Sequence, residues 1–331
     1  PGCPVISRYG LEGILPKNVR MIHGPGCPVC VMPIGRIDSA IELALEHGVI
    51  LCTYADTMRV PASKGLSLMK AKAQGGDIRM IYSAADCLDI ARANPDKNVV
   101  FFAIGFETTT PATAVVLKQA KAEGLKNFFV FCNHVLTPPA MRHILKNQEK
   151  VHIEGFVGPA HVSTIIGSEP YETFAKDYSK PVVIAGFEPL DMLQSILMLI
   201  RQINRGEAEV ENEFTRAVRP EGNMKAIRMM EEVFALRDSF EWRGLGSVPK
   251  SALKLSDAYS DFDAEKHFNL VYRSVPDNKA CECGAILRGE KQPSDCRAFG
   301  TVCTPESPIG SCMVSSEGAC AAYFTYGRHK R

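Results

Sequence analysis

Twelve cysteines punctuate the 331 residues, at positions 3, 27, 30, 52, 87, 132, 281, 283, 296, 303, 312 and 320. Two groupings among them could do chemistry. The first is Cys27-Pro28-Val29-Cys30, framed by Gly24, Pro25 and Gly26. At C-x2-C spacing one thiolate can attack while the other resolves, so the pair can cycle between dithiol and disulfide. A helix beginning near Cys30 would lower a thiol pKa through its amide dipoles. The plainer alternative is a rigid Gly/Pro turn with two idle thiols. The flanking Gly and Pro, which permit close backbone approach and fix the turn, favour the functional reading.

The second grouping is the tail. Cys281, Cys283, Cys296, Cys303, Cys312 and Cys320 fall within forty residues. Zinc ribbons use two tight C-x2-C knuckles, and the tail has none. Thiolates from irregular loops suit a cubane iron–sulfur cluster, whose ligand spacing is permissive. Structural zinc is the second reading, and free or disulfide thiols the third. A four-iron cluster takes four thiolates, so the six cysteines overfill it. Cysteines as close as Cys281 and Cys283 rarely serve one cluster together, and Cys312 and Cys320 compete for the fourth place.

Composition narrows the class of protein around these thiols. Lys and Arg number 38 against 37 Asp and Glu, which argues against a dedicated nucleic-acid binder. With 46% hydrophobic and 23% charged residues the chain is an ordinary globular one. No apolar run reaches the ~18–20 residues of a membrane span. Residues 1–15 show no basic-then-apolar leader, and the chain starts without Met, so its true N-terminus is expected to lie upstream. A cytoplasmic location is expected, where clustered cysteines serve metal ligation or redox chemistry more often than structural disulfides. No G-x-G-x-x-G, G-x-x-x-x-G-K-[ST] or G-x-S-x-G occurs, so nucleotide-dependent and serine-hydrolase readings lack motif support.

The elements that must position these residues read as α/β. Apolar runs at Arg20–His23, Val49–Tyr54, Ile78–Ser83, Val99–Gly105, Phe128–His134, Gly155–His161 and Pro181–Phe187 predict strands. Helical stretches at Asp38–His47, Ala84–Ala93, Thr110–Glu123 and Pro138–Leu145 lie between most of them. The alternation predicts parallel sheets covered on both faces. Gly105-Phe106-Glu107 and Gly186-Phe187-Glu188 form a weak internal repeat, each copy at a strand-to-helix junction. We divide the chain into an α/β unit at 1–115, a second at 116–210, and a loop-rich, cysteine-rich iron–sulfur domain at 211–331. A charged helix is expected near Asn223–Leu236.

Ligands of open α/β sheets bind beyond the carboxyl ends of strands. Glu107, Glu188, His134 and His161 fall at such ends and are candidates for one interdomain cleft. Each also has a bland reading. A carboxylate at a helix start is a stabiliser, and a histidine ending a strand is often structural. Asp56 and Arg59 read as a local ion pair, and Cys52, Cys87 and Cys132 as inert buried thiols.

Seven segments together resemble the HypD family of hydrogenase maturation factors. They are HGPGCPVCVMPIGRID (23–38), CTYADTMRVP (52–61), FFAIGFETTTP (101–111), GPAHVSTIIG (158–167), VVIAGFEPLD (182–191), EWRGLG (241–246) and MVSSEGACAA (313–322). The resemblance covers the chain from about residue 6. It implies a scaffold for assembling the Fe(CN)2CO unit of [NiFe]-hydrogenases, paired with a HypC-like chaperone and supplied with cyanide by a HypE-like partner. The hydrogenase large subunit would be reached indirectly. It also implies a [4Fe-4S] cluster in the C-terminal part and an electron relay through a cysteine pair. Carried over by position, Cys27 and Cys30 match the redox-active pair. Cys283, Cys296, Cys303 and Cys320 match the cluster ligands, with Cys312 as the alternative fourth.

The start of the chain departs from the family. Where HypD-like sequences carry CGGHTH, this chain reads Pro1-Gly2-Cys3-Pro4-Val5, a copy of the GPGCPV core. Either the chain is truncated and scrambled at its start, or Cys3 has taken over as the iron ligand. Residue 297 is Arg rather than the usual Pro. Two other functions remain open at this stage. One is a stand-alone iron–sulfur or dithiol oxidoreductase acting on a small molecule. The other is a zinc-stabilised interaction protein.

Overall fold

The apolar runs of the first half form one parallel sheet. Its strands are β1 (Ile50–Thr53), β2 (Ile78–Met80), β3 (Val99–Gly105) and β4 (Phe128–His134), ordered β2-β1-β3-β4. Strands β1, β3 and β4 are buried along their whole length, and only the edge strand β2 reaches the surface. Burial on both faces explains the near-continuous apolar sequence. This computed structural model describes residues 2–147 and 152–327, with the side chains at 2 and 3 outside the description. Crossover helices Leu68–Ala73, Asp86–Ala93 and Thr110–Glu123 join the strands, as parallel pairing requires. The last of these carries Pro in its first turn and stops at Gly124 in the left-handed conformation.

A second parallel sheet follows: β5 (Phe156–Pro159), β6 (Val182–Ala185) and β7 (Val210–Asn212), ordered β5-β6-β7. The break between sheets lies after β4. The boundary drawn from sequence at residue 115 instead cuts between β3 and β4, which pair along seven residues. The composition of β4 is like that of β3, so nothing in the sequence marked which sheet it would join. The two Gly-Phe-Glu copies do sit at strand-to-helix junctions, but beyond that tripeptide no internal repeat is established. Arg20–His23 joins no strand. Ile22 packs against Gly289 instead, and the Met21 carbonyl accepts from the Gln292 amide at 3.3 Å.

The remainder is short and irregular. The charged helix spans Met224–Val233, capped by the Asn223 side chain accepting from the Ala226 N–H at 3.1 Å. It gives way to β8 (Phe234–Leu236), β9 (Ser239–Trp242), β10 (Gly246–Pro249) and β11 (Leu253–Leu255). These pair as β9-β10 and β8-β11, both antiparallel. Their three to four residues are too few for a periodic signal. The tail does not stand apart from the first sheet. Cys283, Ile286, Cys303, Cys312 and Cys320 share one apolar core with Leu51, Phe102 and Phe131. Among the described residues, no helix is long and apolar enough to cross a membrane.

Candidate functional site

The GPGCPVC segment folds into a four-residue helix, Pro28–Val31, with Cys27 as its N-cap. Cys27 is extended, at φ −124° and ψ 121°, and Pro28 supplies the fixed φ of a first helical residue. The Cys27 sulfur accepts from the Cys30 N–H at 3.3 Å. Both thiols are buried, Cys30 completely. Burial raises the Cys30 pKa well above the usual thiol value, and the hydrogen bond with Cys27 adds to it. The expectation of a dipole-lowered thiol is thus not met at Cys30. One short helical turn gathers little dipole, and desolvation outweighs it.

The tail closes over this pair. Ser311 Oγ donates to the Cys30 carbonyl at 2.7 Å, and the Cys30 thiol faces the Ser311 carbonyl at 3.9 Å. A Cβ at Gly318 would stand 3.0 Å from the Cys30 sulfur and would collide with the Cys312 carbonyl. Cys312 is the joint between the two groupings. Its thiol bonds with Cys30 on one side and with Cys283 and Cys320 on the other. Cys281 in turn bonds with Cys283. The sulfurs therefore run without interruption from Cys27 through Cys30 and Cys312 to Cys283, Cys320 and Cys281.

Beyond Cys312 the thiols surround a cavity. Cys281, Cys283, Cys296, Cys303 and Cys320 line it, with Ile286, Phe299 and Met313. All four sequence-derived ligands are present. Cys320 lines the cavity, whereas Cys312 adjoins it through Cys283 and Cys320 without lining it. Cys281 does line it, although the two-residue spacing argued against a shared role with Cys283. Gly310 makes the crowding possible, because a Cβ there would collide with the sulfurs of Cys281 and Cys283. The backbone N–H of Ile309 donates to the Cys303 sulfur at 3.4 Å.

The donor set favours one kind of occupant. Among the described residues, no three His, Cys, Asp or Glu side chains converge on a single metal ion. Thiols spread around an apolar cavity suit a polynuclear centre, in which each metal takes one thiolate. The Cys283 hydrogen bond and burial raise the pKa of Cys281, and burial raises that of Cys303. A metal centre bound there would supply positive charge that favours the thiolate form.

Asp56 and Arg59 do not form the local ion pair read from the sequence. They reach into the tail instead. Asp56 accepts from Ser315 Oγ at 2.8 Å, while Arg59 donates to the carbonyls of Val314 at 3.1 Å and Pro305 at 3.2 Å. The loop after β1 thereby fixes the segment carrying Cys312. Two charged residues in an otherwise uncharged motif are the sequence signal for this anchor.

The strand-end candidates have other partners. Glu107 is 2% exposed and accepts from the backbone N–H of Thr137 at 2.8 Å and from its hydroxyl at 3.0 Å. Burial lifts its pKa to about 7. It caps the helix Thr137–Lys146. Glu188, at the second Gly-Phe-Glu, is exposed and precedes the helix Pro189–Arg205. His134 is held by Thr113 Oγ1 at 2.8 Å, and burial lowers its pKa to about 4. His161 faces Phe187 at 4.9 Å between ring centres. Its Nδ1 is buried without a partner, and burial lowers its pKa to about 4, which keeps the ring neutral near pH 7. Cys52, Cys87 and Cys132 lie in the sheet core as expected. Cys3 sits in the helix Gly2–Arg8, but its side chain lies outside the described residues.

Comparison with known proteins bears directly on this arrangement. A family profile described as HypD, "Hydrogenase formation hypA family", matches residues 3–327. The hydrogenase maturation factor HypD of Cupriavidus necator is 66% identical over 98% of this chain and 87% of its own length. The HypD of Azotobacter vinelandii is 62% identical over 98% and 87%, respectively. That of Escherichia coli K12 is 46% identical over 97% and 86%.

Proposed function

The chain belongs to the HypD family, and from that premise we propose how its residues serve hydrogenase maturation. The protein is a scaffold on which the Fe(CN)2CO unit of [NiFe]-hydrogenases is assembled. Its partners are a HypC-like chaperone, which shares the iron, and a HypE-like cyanide donor. The iron and its ligands are cargo, passed on toward the hydrogenase large subunit.

The observation that supports this reading most is the unbroken run of sulfurs from Cys27 to the cysteine cavity. Cys283, Cys296, Cys303 and Cys320 would hold a [4Fe-4S] cluster, which supplies one-electron chemistry when bound. Cys27 and Cys30 form the redox pair. Between its dithiol and disulfide states the pair would store two electrons and two protons. Burial under Ser311 and Gly318 keeps the pair away from solvent oxidants, so Cys312 is its covered neighbour on the tail side. Thiolates are soft donors and suit the low-spin Fe(II) that cyanide and carbonyl favour. Cys3 stands as the ligand for that iron, and His161 adds a neutral imidazole at the end of β5.

Iron, zinc and acid-labile sulfide on anaerobically purified protein test the cluster. About four iron and four sulfide per chain are expected for a cubane centre. One zinc without sulfide would sink it. The redox pair is tested separately by Cys27→Ala and Cys30→Ala, each of which should keep the cluster and abolish maturation in a strain lacking its own family member. Maturation by both variants would defeat that role.

A further inference from the structure

Arg243, in the EWRGLG segment, is an arginine almost wholly inside the protein. Its side chain is 3% exposed. The backbone fixes it between the two sulfur groupings. Its N–H donates to the Val31 carbonyl at 2.8 Å, at the end of the Cys27–Cys30 turn. The next residue, Gly244, lies so close to Gly284 that a Cβ would clash with the Gly284 Cα. Gly284 directly follows Cys283. The guanidinium Nε donates to Asp277 at 2.5 Å. Its Nη1 is buried with no partner.

Leaving a buried guanidinium N–H unpaired is costly, and truncating Arg243 would leave Asp277 alone. Such a group is retained where a negative charge balances it. Asp277 does so only in part, since its side chain is 32% exposed and screened by water. The other charge at the cavity wall, Glu282, is paired with Lys291 through Oε1, while its Oε2 is buried without a partner. The negative charge that remains is that of the cavity thiolates, and Cys283 lines that cavity one residue from the Gly284 on which Gly244 packs.

We propose that Arg243 is a positioning residue that sets a permanent positive charge against the cysteine cavity and raises the reduction potential of the cluster held there. The inference rests on the cluster reading above. A cationic group stabilises the more negative, reduced state of a thiolate-ligated centre, and net charge near a cluster is one of the levers on its potential.

The test is a redox titration of the anaerobically purified full chain, followed in the visible spectrum, with iron and sulfide counted first. Arg243→Gln should keep its iron and sulfide and show a lower midpoint potential. Arg243→Lys, which keeps the charge, should stay near wild type. Asp277→Asn, which removes the opposing carboxylate, should shift the potential upward. A wild-type potential in Arg243→Gln overturns the inference, as does a Lys variant that shifts as far as Gln. Should Arg243→Gln fail to assemble a cluster, an unmoved potential in Asp277→Asn overturns it. Absence of iron and sulfide from the wild type strikes the cluster reading itself, and this inference with it.

Discussion

Cys132 and Cys312 are both buried, at 1% and 0% exposure, yet the regions around them hide a thiol by different means. Cys132 lies on β4, inside a ladder of parallel strands, and its thiol donates to the Leu253 carbonyl at 3.3 Å. Desolvation pushes its pKa up to about 11. Cys312 lies in a single turn, Ser311–Met313, and meets three other thiols. In the sheet, regular backbone pairing creates an apolar interior and sulfur fills it like a small hydrophobe. In the tail, glycines bring loops together and sulfur meets sulfur. Burial alone therefore does not separate an inert thiol from a chemical one. The neighbours do.

The comparison breaks most visibly at the metal. Cys283→Ser should lose most of the iron and sulfide of the chain, because Cys283 lines the cavity. Cys312→Ser should retain them, because Cys312 adjoins the cavity without lining it. Equal losses in both variants, measured on anaerobic protein, would erase the distinction between joint and ligand.

Stability sharpens the other side. Phe101 is fully buried on β3, so Phe101→Ala should cost about 3–5 kcal/mol in denaturant unfolding. Cys132→Ala removes one sulfur from the same sheet and should cost about 1 kcal/mol. A Cys132 variant as damaging as Phe101→Ala would mean that the sheet thiols are more than filler.

A pH dependence is expected at the junction of sheet and helix. Folding raises the Glu107 pKa from 4.5 to about 7 through burial. Between those values the folded state holds a proton that the unfolded state has released. Stability from this group is therefore full below about pH 4.5 and declines as pH rises through about 7. The loss is at most about 3 kcal/mol, from the size of the shift. Unfolding of Glu107→Gln across pH 5–8 should lack that decline, whereas Glu188→Gln, at the exposed copy of the tripeptide, should follow wild type. A wild-type slope in Glu107→Gln would show that the carboxyl is not the titrating group.

The strands β3 and β4 and the helix Thr110–Glu123 were legible to the residue, because long buried strands and a Pro-started, Gly-ended helix leave strong local patterns. Four of the five cavity cysteines, Cys283, Cys296, Cys303 and Cys320, were named from family motifs, and the C-x2-C pair from spacing. Other features were not readable. Strand β7 and the four short strands after it carry too few residues for periodicity. Arg20–His23 has the composition of a strand, yet tail loops claim it before any sheet does.

What the sequence determined by itself was the inventory: α/β alternation, a Gly/Pro-framed thiol pair, a surplus of tail cysteines and membership of a family. Each is a local pattern or a direct match, so no long-range contact was needed to read it. Only the tertiary structure decided that the tail shares its core with the first sheet. It also decided that Cys312 joins the pair to the cavity and that Asp56 and Arg59 clasp the tail rather than each other. These contacts join residues about 250 or more positions apart. Their cost in chain entropy is met by the whole packed core, and no short stretch of sequence encodes that sum.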